Sequence, residues 1–230
     1  MPAAGWFTAV DFRNAISPRH PDPIGTLGDN NEMKRRLVMP WIAEGVRGKR
    51  VLDLFCANGT FSVEAGLAGA REVVGVDYSP ERIECARFLA STVEDKIDCA
   101  FTFVSGDIYE LPRLVTGPFD VVLAFGGLYH VADPAFVLRK IRALTRERLI
   151  VQTSNIINLP GTWGRFEVRR TDGSAHGRTS IRPGHGAWRL SVGCFEALLR
   201  HARFHVVEST RPPWLARRRY PWYCAVAEPF

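Results

Sequence analysis

Apolar residues in the middle of the chain occur in short runs that alternate with longer amphipathic segments. The runs predict buried strands at Val51–Phe55, Val73–Val76, Phe101–Val104, Val121–Phe125 and Leu149–Thr153. The amphipathic segments predict helices at Phe61–Leu67, from Pro80 onward and at Pro134–Leu144. Strands that alternate with helices in this way form a parallel sheet covered on both faces. The pattern therefore predicts an α/β fold.

The N-terminal part of the chain departs from this alternation. Residues 17–30 are rich in proline, glycine and aspartate, which predicts an ordered loop rather than a helix. A helix is then expected from about Asn31, capped by Asp29 or Asn30 and interrupted or kinked at Pro40.

Residues 154–189 break the alternation a second time, after the fifth predicted strand. They are rich in glycine and contain six arginines, which predicts a loop insertion or a small cap. Regular patterns then return, with a helix at Val192–His201 and strands at Phe204–Glu208 and near Trp222–Ala227. We therefore expect an N-terminal lid or extension at residues 1–44 and one main domain at residues 45–230 that carries the cap.

The composition is that of a soluble globular protein. The 230 residues are 46% apolar and 23% charged, which suits one α/β domain with additions. The longest apolar stretch, Val121–Tyr129, is far shorter than the roughly 20 residues that span a bilayer, and no signal peptide is expected. Five cysteines without a CxxC pair indicate reduced thiols and hence a cytoplasmic protein. A membrane protein, a small secreted protein and a disordered chain are excluded.

The net charge of +6 is concentrated in the C-terminal third of the chain. Residues 158–230 contain 12 Lys and Arg against 5 Asp and Glu, whereas residues 1–157 contain 18 against 19. One interpretation is a general preference for arginine, with most of these side chains solvated. The other is an anionic partner, such as a nucleic acid, a phosphorylated substrate or an acidic sugar. No RNA-binding motif with interleaved aromatic residues is present, which favours a small-molecule partner over nucleic acid.

Two carboxylates stand where predicted strands of the sheet end. Asp53 ends the first strand, and Asp77 ends the second in the segment VVGVDYS. Open parallel sheets bind ligands beyond the carboxyl ends of their strands. The turn after Asp53 contains Ala57, Asn58 and Gly59, which let backbone N–H groups approach a ligand at a helix N-terminus. A carboxylate at residue 77 can accept hydrogen bonds from both hydroxyls of an adenosine ribose.

The turn does not match a dinucleotide-binding fingerprint. That fingerprint would place glycines at residues 57, 59 and 62, but the chain has Ala57, Gly59 and Ser62. An acidic residue beside the turn also suits an ammonium group better than a pyrophosphate. The SGD sequence that contains Gly106 and Asp107 ends the third strand, where a carboxylate can accept from an adenine amino group. Ammonium, ribose and adenine together describe S-adenosylmethionine, which is therefore the predicted cofactor.

With these residues, the chain resembles the class I S-adenosylmethionine-dependent methyltransferases over about residues 45–153. The DLFCANG segment is similar to the family motif D-x-x-x-G-x-G, with Ala57 in place of the first glycine. The resemblance implies a Rossmann-like, seven-stranded sheet whose last strand is antiparallel, which the closing WYCAVA run can supply. It also implies cofactor-binding residues in the loops at the strand ends: Asp53, Phe55, Ala57, Asn58, Gly59, Asp77, Tyr78, Gly106, Asp107, Ile108 and Phe125.

A narrower resemblance concerns the relatives of the tRNA wobble-uridine carboxymethyl-transferring enzymes. The FGGLYHVADP run at residues 125–134 and the aromatic pair Trp6-Phe7 are similar to segments of that group, as is the extension LGDNNEMKRRLVMPW. A carboxylated form of the cofactor would need basic residues to hold its extra carboxylate. Lys34, Arg35 and Arg36 could do so, or they could be ordinary solvated residues of a helix.

The residues after the fourth predicted strand are the candidates for catalysis. Tyr129 and His130 follow that strand, beside the expected position of the methyl group to be transferred. His130 can act as the base for an acceptor hydroxyl, or it can anchor the loop through hydrogen bonds. Tyr129 is expected to pack on the cofactor. His130 and Asp133 are the only close pair of metal-ligand types here, so no metal site is predicted.

Acceptor-binding residues are expected in the lid and the cap, where the candidates are Trp6, Arg165, His176, His185 and Trp188. The predicted function is methyl transfer to a small-molecule acceptor, preferably at a hydroxyl. One alternative is a tRNA-modifying methyl- or carboxymethyl-transferase, and another is a non-catalytic protein that binds the cofactor. The sequence carries no signal for an oligomeric state.

Overall fold

The computed structural model describes residues 11–12, 15–16, 26–154, 156–168, 186–210 and 222–230, with side chains from residue 34 onward. Its strands are β1 (Asp11–Phe12), β2 (Ala15–Ile16), β3 (Arg50–Leu54), β4 (Glu72–Asp77), β5 (Ala100–Ser105), β6 (Phe119–Phe125), β7 (Thr145–Thr153), β8 (Ile156–Ile157), β9 (Gly164–Val168), β10 (Gly186–Ser191), β11 (Phe204–Thr210) and β12 (Tyr223–Pro229). Its α-helices are α1 (Thr26–Gly45), α2 (Thr60–Leu67), α3 (Pro80–Ser91), α4 (Leu111–Leu114), α5 (Pro134–Leu144) and α6 (Val192–His201). Two 3-10 helices follow β5 and β6, at Ile108–Glu110 and Leu128–His130.

The main sheet has seven of these strands, in the order β11-β12-β7-β6-β3-β4-β5. Strands β5, β4, β3, β6 and β7 pair in parallel, whereas the last strand, β12, is antiparallel to both β7 and β11. This arrangement confirms the predicted Rossmann-like sheet with an antiparallel last strand. No helix in the described part of the chain is both long and apolar enough to cross a membrane.

Each face of the sheet buries its own apolar cluster, because side chains alternate between the faces along every strand. On β3, Leu52 and Leu54 join the cluster covered by α5 and α6. Val51 belongs instead to the cluster on the other face, covered by α1 and α2. Asp53 shares a face with Val51 and therefore points towards α1 and α2.

Helix α1 differs from the prediction at its start and at its proline. It begins at Thr26, so that Asp29 and Asn30 lie within its first turns rather than at its cap, and residues 26–30 are helical rather than a loop. Residues typical of turns also suit the first turn of a helix, where a carboxylate is stabilised by the helix dipole. The helix also continues through Pro40 to Gly45 without interruption. Its C-terminal half is held on the sheet by Val38, Trp41 and Ile42, which are buried.

The predicted cap contains regular structure that its composition did not indicate. Strands β8, β10 and β9 form a separate three-stranded sheet in that order. Ile156 and Leu190 anchor this small sheet in the same apolar cluster as α5 and α6. Burial of these few side chains outweighs the turn-forming tendency of the glycines around them. Hereafter we call β8, β9 and β10 the cap sheet.

The predicted strands are present, but several begin earlier than expected. Strand β7 starts at Thr145 instead of Leu149, and Arg146 and Glu147 at its beginning are exposed. A polar strand segment that extends beyond the covering helices has no apolar pattern to reveal it.

Candidate functional site

The strand order places one crevice at the carboxyl end of the sheet. The chain runs from β3 to β4 on one side, and β6 pairs with the other side of β3. Such a reversal of direction leaves room for a ligand between the loops that follow the two neighbouring strands. The loops after β3, β4, β5 and β6 therefore line this crevice, and they contain the predicted cofactor-binding residues.

The loop after β3 concentrates unusual backbone conformations. Phe55 and Ala57 have positive φ angles of 60° and 50°, and Gly59 has a φ of 76°. Left-handed conformations at residues other than glycine cost about 1–3 kcal/mol each and tend to occur at functional sites. At Gly59 a Cβ would stand 2.8 Å from the Cβ of Ala86, so this glycine also permits close packing of α2 against α3. Ala57 is small, as predicted, but its backbone is one that glycine would adopt more easily.

Asp77 joins the loops that follow β3 and β4. Its Oδ2 accepts a hydrogen bond from the backbone N–H of Ala57 at 3.0 Å, and its Oδ1 accepts one from that of Ser79 at 3.1 Å. Arg82 Nη1 lies 3.9 Å from Oδ1. A carboxylate oxygen can accept more than one hydrogen bond, so Asp77 retains capacity for a ligand hydroxyl on each oxygen.

Asp53 lies deeper in the crevice and is almost fully buried, with 1% of its surface exposed. The hydroxyl of Ser62, at the start of α2, donates a 2.6 Å hydrogen bond to its Oδ2. Burial raises the pKa of Asp53 to about 7, because the Ser62 hydrogen bond and the positive charge of Lys34 offset only part of the lost solvation. Asp53 is therefore a carboxyl group that changes charge near neutral pH.

The loops after β4 and β5 hold the remaining residues expected to contact the adenosine part. Tyr78 is 40% exposed, and the guanidinium carbon of Arg82 lies 5.6 Å from the centre of its ring. The Asp107 Oδ1 accepts a 3.0 Å hydrogen bond from the backbone N–H of Tyr109 and so caps the first 3-10 helix. Gly106 N–H donates to the carbonyl of Asp77 at 3.0 Å, which fixes the two loops together.

Two further residues predicted to bind the cofactor are partly or fully buried. Ile108 is half-buried against the core. Asn58, in the loop after β3, is buried as well.

Aromatic residues lie at the end of β6 and in the 3-10 helix that follows it. Phe125 is buried and packs edge-on against Phe61, with 4.8 Å between ring centres. Tyr129 and His130 are half-buried in the second 3-10 helix, and their ring centres are 4.1 Å apart. The structure thus brings the side chains of Tyr129 and His130 together directly after β6, and their catalytic role stays a prediction.

The loop that carries His130 is fixed from two directions. The backbone N–H of Asp133 donates to the hydroxyl of Tyr109 at 3.0 Å, and Asp133 Oδ1 accepts from Phe136 N–H at 2.8 Å to cap α5. From the cap sheet, the indole N–H of Trp188 donates to the carbonyl of Ala132 at 3.2 Å. The cap sheet therefore contacts the loop immediately after His130.

The candidate acceptor residues are only partly brought together. Trp188 packs against Phe166 on the face of the cap sheet that contacts the His130 loop, and the ring centres are 5.1 Å apart. Arg165 lies on the opposite side, where its side chain is 75% exposed and 3.7 Å from Glu167. Successive residues of a strand point to opposite faces, which separates Arg165 from the aromatic pair. Trp6, His176 and His185 lie outside the described residues.

Two residues near Asp53, Ser62 and Gln152, were not identified from the sequence as residues of the site, and the sequence left Lys34 between a role toward a carboxylated cofactor and ordinary solvation. Lys34, from α1, is only 9% exposed, and burial lowers the pKa of its ammonium to about 8 although Cys224 and Asp53 oppose this. Gln152, near the end of β7, is fully buried, and its Oε1 has no hydrogen-bond partner among the described residues. Ser62 could have been found from the sequence because it stands where a dinucleotide fingerprint has a glycine. Gln152 could have been found because it is a polar residue inside an apolar run. Within the described ranges, no group of three His, Cys, Asp or Glu side chains could hold a metal ion.

Similarity to known protein sequences covers about half of the chain. A family model described as Methyltransferase domain matches residues 46–169. The ubiquinone biosynthesis O-methyltransferase of Bordetella pertussis is 34% identical over 113 residues, which are 48% of this chain and 45% of that protein. The chain thus spans about half, or less, of the length of the curated relatives it matches.

Solved structures share the fold over most of the chain. The magnesium protoporphyrin IX methyltransferase of Synechocystis PCC 6803 with bound SAM has a TM-score of 0.64 and 18% identity, with 89% of this chain and 82% of that chain covered. The 1,6-didemethyltoxoflavin-N1-methyltransferase of Burkholderia thailandensis has a TM-score of 0.60 and 20% identity, with 90% and 84% covered. Since the family model matches more than half of the 230 residues, the chain belongs to the Methyltransferase domain family.

Proposed function

We propose that this protein is an S-adenosylmethionine-dependent methyltransferase that acts on a hydroxyl group of a small-molecule acceptor. The observation that carries the proposal is the pair of buried carboxylates, Asp53 and Asp77, at the ends of adjacent parallel strands. The strained loop of residues 55–59 lies between them and is hydrogen-bonded to Asp77. Membership of the methyltransferase family supports the same activity.

The residues of the crevice fit the proposed cofactor in charge and in hydrogen-bonding capacity. Asp77 has acceptor capacity left for the ribose hydroxyls, and Asp107 stands where a carboxylate can accept from the adenine amino group. Lys34 and the buried Oε1 of Gln152 are a donor and an acceptor at the opposite end, near Asp53. When bound, the cofactor supplies an electrophilic methyl group on a sulfonium centre. The role of this chain is then to hold the acceptor in line with that group and to exclude water.

His130 is the proposed base for the acceptor hydroxyl. It lies half-buried after β6, in a loop held by Tyr109 and by Trp188. A positioned histidine can take the proton of a hydroxyl as it attacks. We also propose that residues 154–189 form the acceptor cap, because Trp188 in this segment touches the His130 loop directly. Residues 1–44 are proposed to act as a lid. Several of the curated relatives are named ubiquinone biosynthesis O-methyltransferase, which supports an oxygen acceptor.

A second candidate is the modification of tRNA, and the charge distribution favours it. The surplus of arginine in residues 158–230 could bind a phosphate backbone. A carboxylated cofactor would fit this alternative, because the ammonium of Lys34 lies inside the crevice.

Incubation with methyl-labelled S-adenosylmethionine and separate small-molecule and tRNA fractions from a bacterial lysate tests the proposal. We expect the labelled methyl group in a small molecule. If the methyl group is bound as an ether, it should not be released by treatment with base. Transfer of label to tRNA would favour the second candidate. Binding of the cofactor without transfer to any fraction would indicate a non-catalytic cofactor-binding protein.

A further inference from the structure

Two buried polar groups of opposite character face the same small space beside Asp53. The ammonium of Lys34 and the Oε1 of Gln152 lie 3.2 Å and 3.8 Å from the point where a Cβ on Gly126 would stand. Gly126 has no side chain and a φ of 74°, so the space between these groups stays open. The space lies between α1, which carries Lys34, and the ends of β6 and β7.

Within the described part of the chain, neither the ammonium of Lys34 nor the Oε1 of Gln152 has a hydrogen-bond partner. Gln152 uses its amide N–H for a 3.1 Å hydrogen bond to Ser154 Oγ, but its Oε1 accepts none from the described residues. The Lys34 ammonium is 5.9 Å from the centre of the Phe61 ring, and no ion pair within 4.0 Å links it to the described carboxylates. A buried carbonyl oxygen without a partner is costly, and an ammonium without an ion-pair partner among the described residues stands beside it, so the two groups together indicate a ligand that completes them.

Lys34 differs in this respect from the basic residues that follow it. Arg35 is turned to the surface, where it forms a 2.6 Å ion pair with Glu64. Arg36 is exposed as well. Of the three basic residues in this turn of α1, Lys34 is the one directed into the crevice.

A ligand that complements this space must present an anion to Lys34 and an N–H donor to Gln152 and Asp53. An α-amino acid does both, because its carboxylate and its ammonium are separated by a single carbon. We propose that Lys34 and Gln152 bind the α-amino-carboxylate end of the cofactor, with Lys34 on the carboxylate and Gln152 Oε1 on the ammonium. This inference rests on the proposed function, since it names the recognition of one part of the cofactor.

Calorimetric binding of S-adenosylmethionine and of its decarboxylated analogue tests the assignment, because the two ligands differ only in the carboxylate. The wild-type protein should prefer S-adenosylmethionine by about 10- to 100-fold, the range for a hydrogen bond to a charged group. In Lys34→Met the preference should fall to within about threefold. Arg36→Met, which removes an exposed charge from the same helix, should keep the wild-type preference.

Lys34→Met should fold, because replacement of a buried charge by an apolar side chain of similar size is often neutral or stabilising. Gln152→Glu provides an independent test of the same space. The new carboxylate would pair with Lys34 and compete with the carboxylate of the ligand. The affinity of the Gln152→Glu protein for S-adenosylmethionine should fall at least tenfold. Its affinity for the decarboxylated analogue, which retains the ammonium, should fall much less.

The outcomes separate this inference from the proposed function. A wild-type protein that binds neither ligand would overturn both. Equal affinity of the wild-type protein for the two ligands, or an unchanged preference in Lys34→Met, would overturn the inference alone. Loss of affinity in Lys34→Met for a cofactor carboxylated on its methyl group, with no such effect on S-adenosylmethionine, would place Lys34 on the other carboxylate and would also overturn it.

Discussion

The ring of Phe55 lies directly against the backbone of Gly127, so that a Cβ on residue 127 would stand 2.0 Å from Phe55 Cγ. Phe55 belongs to the strained loop after β3, and Gly127 precedes the 3-10 helix that carries Tyr129 and His130. The contact therefore joins the loop proposed for the cofactor to the loop proposed for the acceptor. We therefore expect a substitution in one loop to disturb the packing of the other.

Gly127→Ala should destabilise the protein by about 1–3 kcal/mol, because the added methyl group overlaps the Phe55 ring. In a Phe55→Ala background the same change should cost at least about 1 kcal/mol less, since the ring is gone. Urea unfolding of the four proteins in this cycle measures the coupling. Gly45→Ala at the end of α1, where a Cβ would make only ordinary contacts, should have little effect. Additive effects of the two changes would contradict the proposed contact.

The raised pKa of Asp53 predicts a specific pH dependence of stability. Burial raises this pKa from 3.8 to about 7, so the folded state favours the protonated carboxyl. The resulting stabilisation is complete below about pH 4 and is lost as the pH rises to about 7. Asp53→Asn keeps an acceptor for Ser62 but cannot ionise. Above pH 7 it should be more stable than the wild-type protein by at least about 1 kcal/mol, or about 2–4 °C in Tm.

Asp120→Asn is the control with the opposite sign. Burial works against ionisation at Asp120, but hydrogen bonds from Arg50 N–H and Arg146 outweigh it and lower the pKa. Its charge therefore stabilises the fold above about pH 4, and Asp120→Asn should reduce stability at pH 7. Thermal unfolding of both variants between pH 4 and pH 8 gives the comparison. Parallel curves for Asp53→Asn and the wild-type protein would show that Asp53 does not titrate in this range.

Asp77→Ala should weaken binding of S-adenosylhomocysteine by about 1.5–3 kcal/mol, the value of hydrogen bonds to a charged group. The variant also loses the acceptor for Ala57 N–H, so part of the effect comes from the loop after β3. Calorimetry measures the affinity, and circular dichroism verifies the fold. Asp98→Ala, which removes an exposed carboxylate, is the matched control and should bind normally. Unchanged affinity in a folded Asp77→Ala protein would remove this residue from the site.

Two variants of His130 distinguish a role as catalytic base from a role as loop anchor. If it takes the proton of an acceptor hydroxyl, His130→Ala should lower kcat by about 10²–10⁴ and leave cofactor affinity nearly unchanged. His130→Gln keeps the capacity for hydrogen bonds but cannot accept the proton at neutral pH. Single-turnover transfer of labelled methyl to the identified acceptor, from pH 6 to pH 9, separates the two roles. Near-normal rates in the glutamine variant would identify His130 as an anchor.

Local patterns were sufficient for the elements that the core requires. Helices α5 and α6 have the predicted bounds, because each has a buried apolar stripe and a polar residue at its N-cap, Asp133 or Ser191. Helix α1 was placed less well, since turn-forming residues near its start favour a loop locally and the burial of Trp41 and Ile42 depends on the distant sheet. The cap sheet was missed for the same reason, because two short strands pair with a third that is far along the chain.

The sequence by itself determined the α/β fold, the seven strands of the main sheet along the chain, and the two acidic strand ends at Asp53 and Asp77. These features depend on residues close together in the chain, where hydrophobic periodicity and turn chemistry act directly. Only the tertiary structure decided which groups meet in the crevice. The approach of Lys34 and Gln152, from elements more than a hundred residues apart, depends on the packing of α1 against the sheet, and the contact of Phe55 with Gly127 depends on the pairing of β3 with β6. No local pattern encodes such a meeting, because it is the burial of the whole core that fixes the distances between its parts.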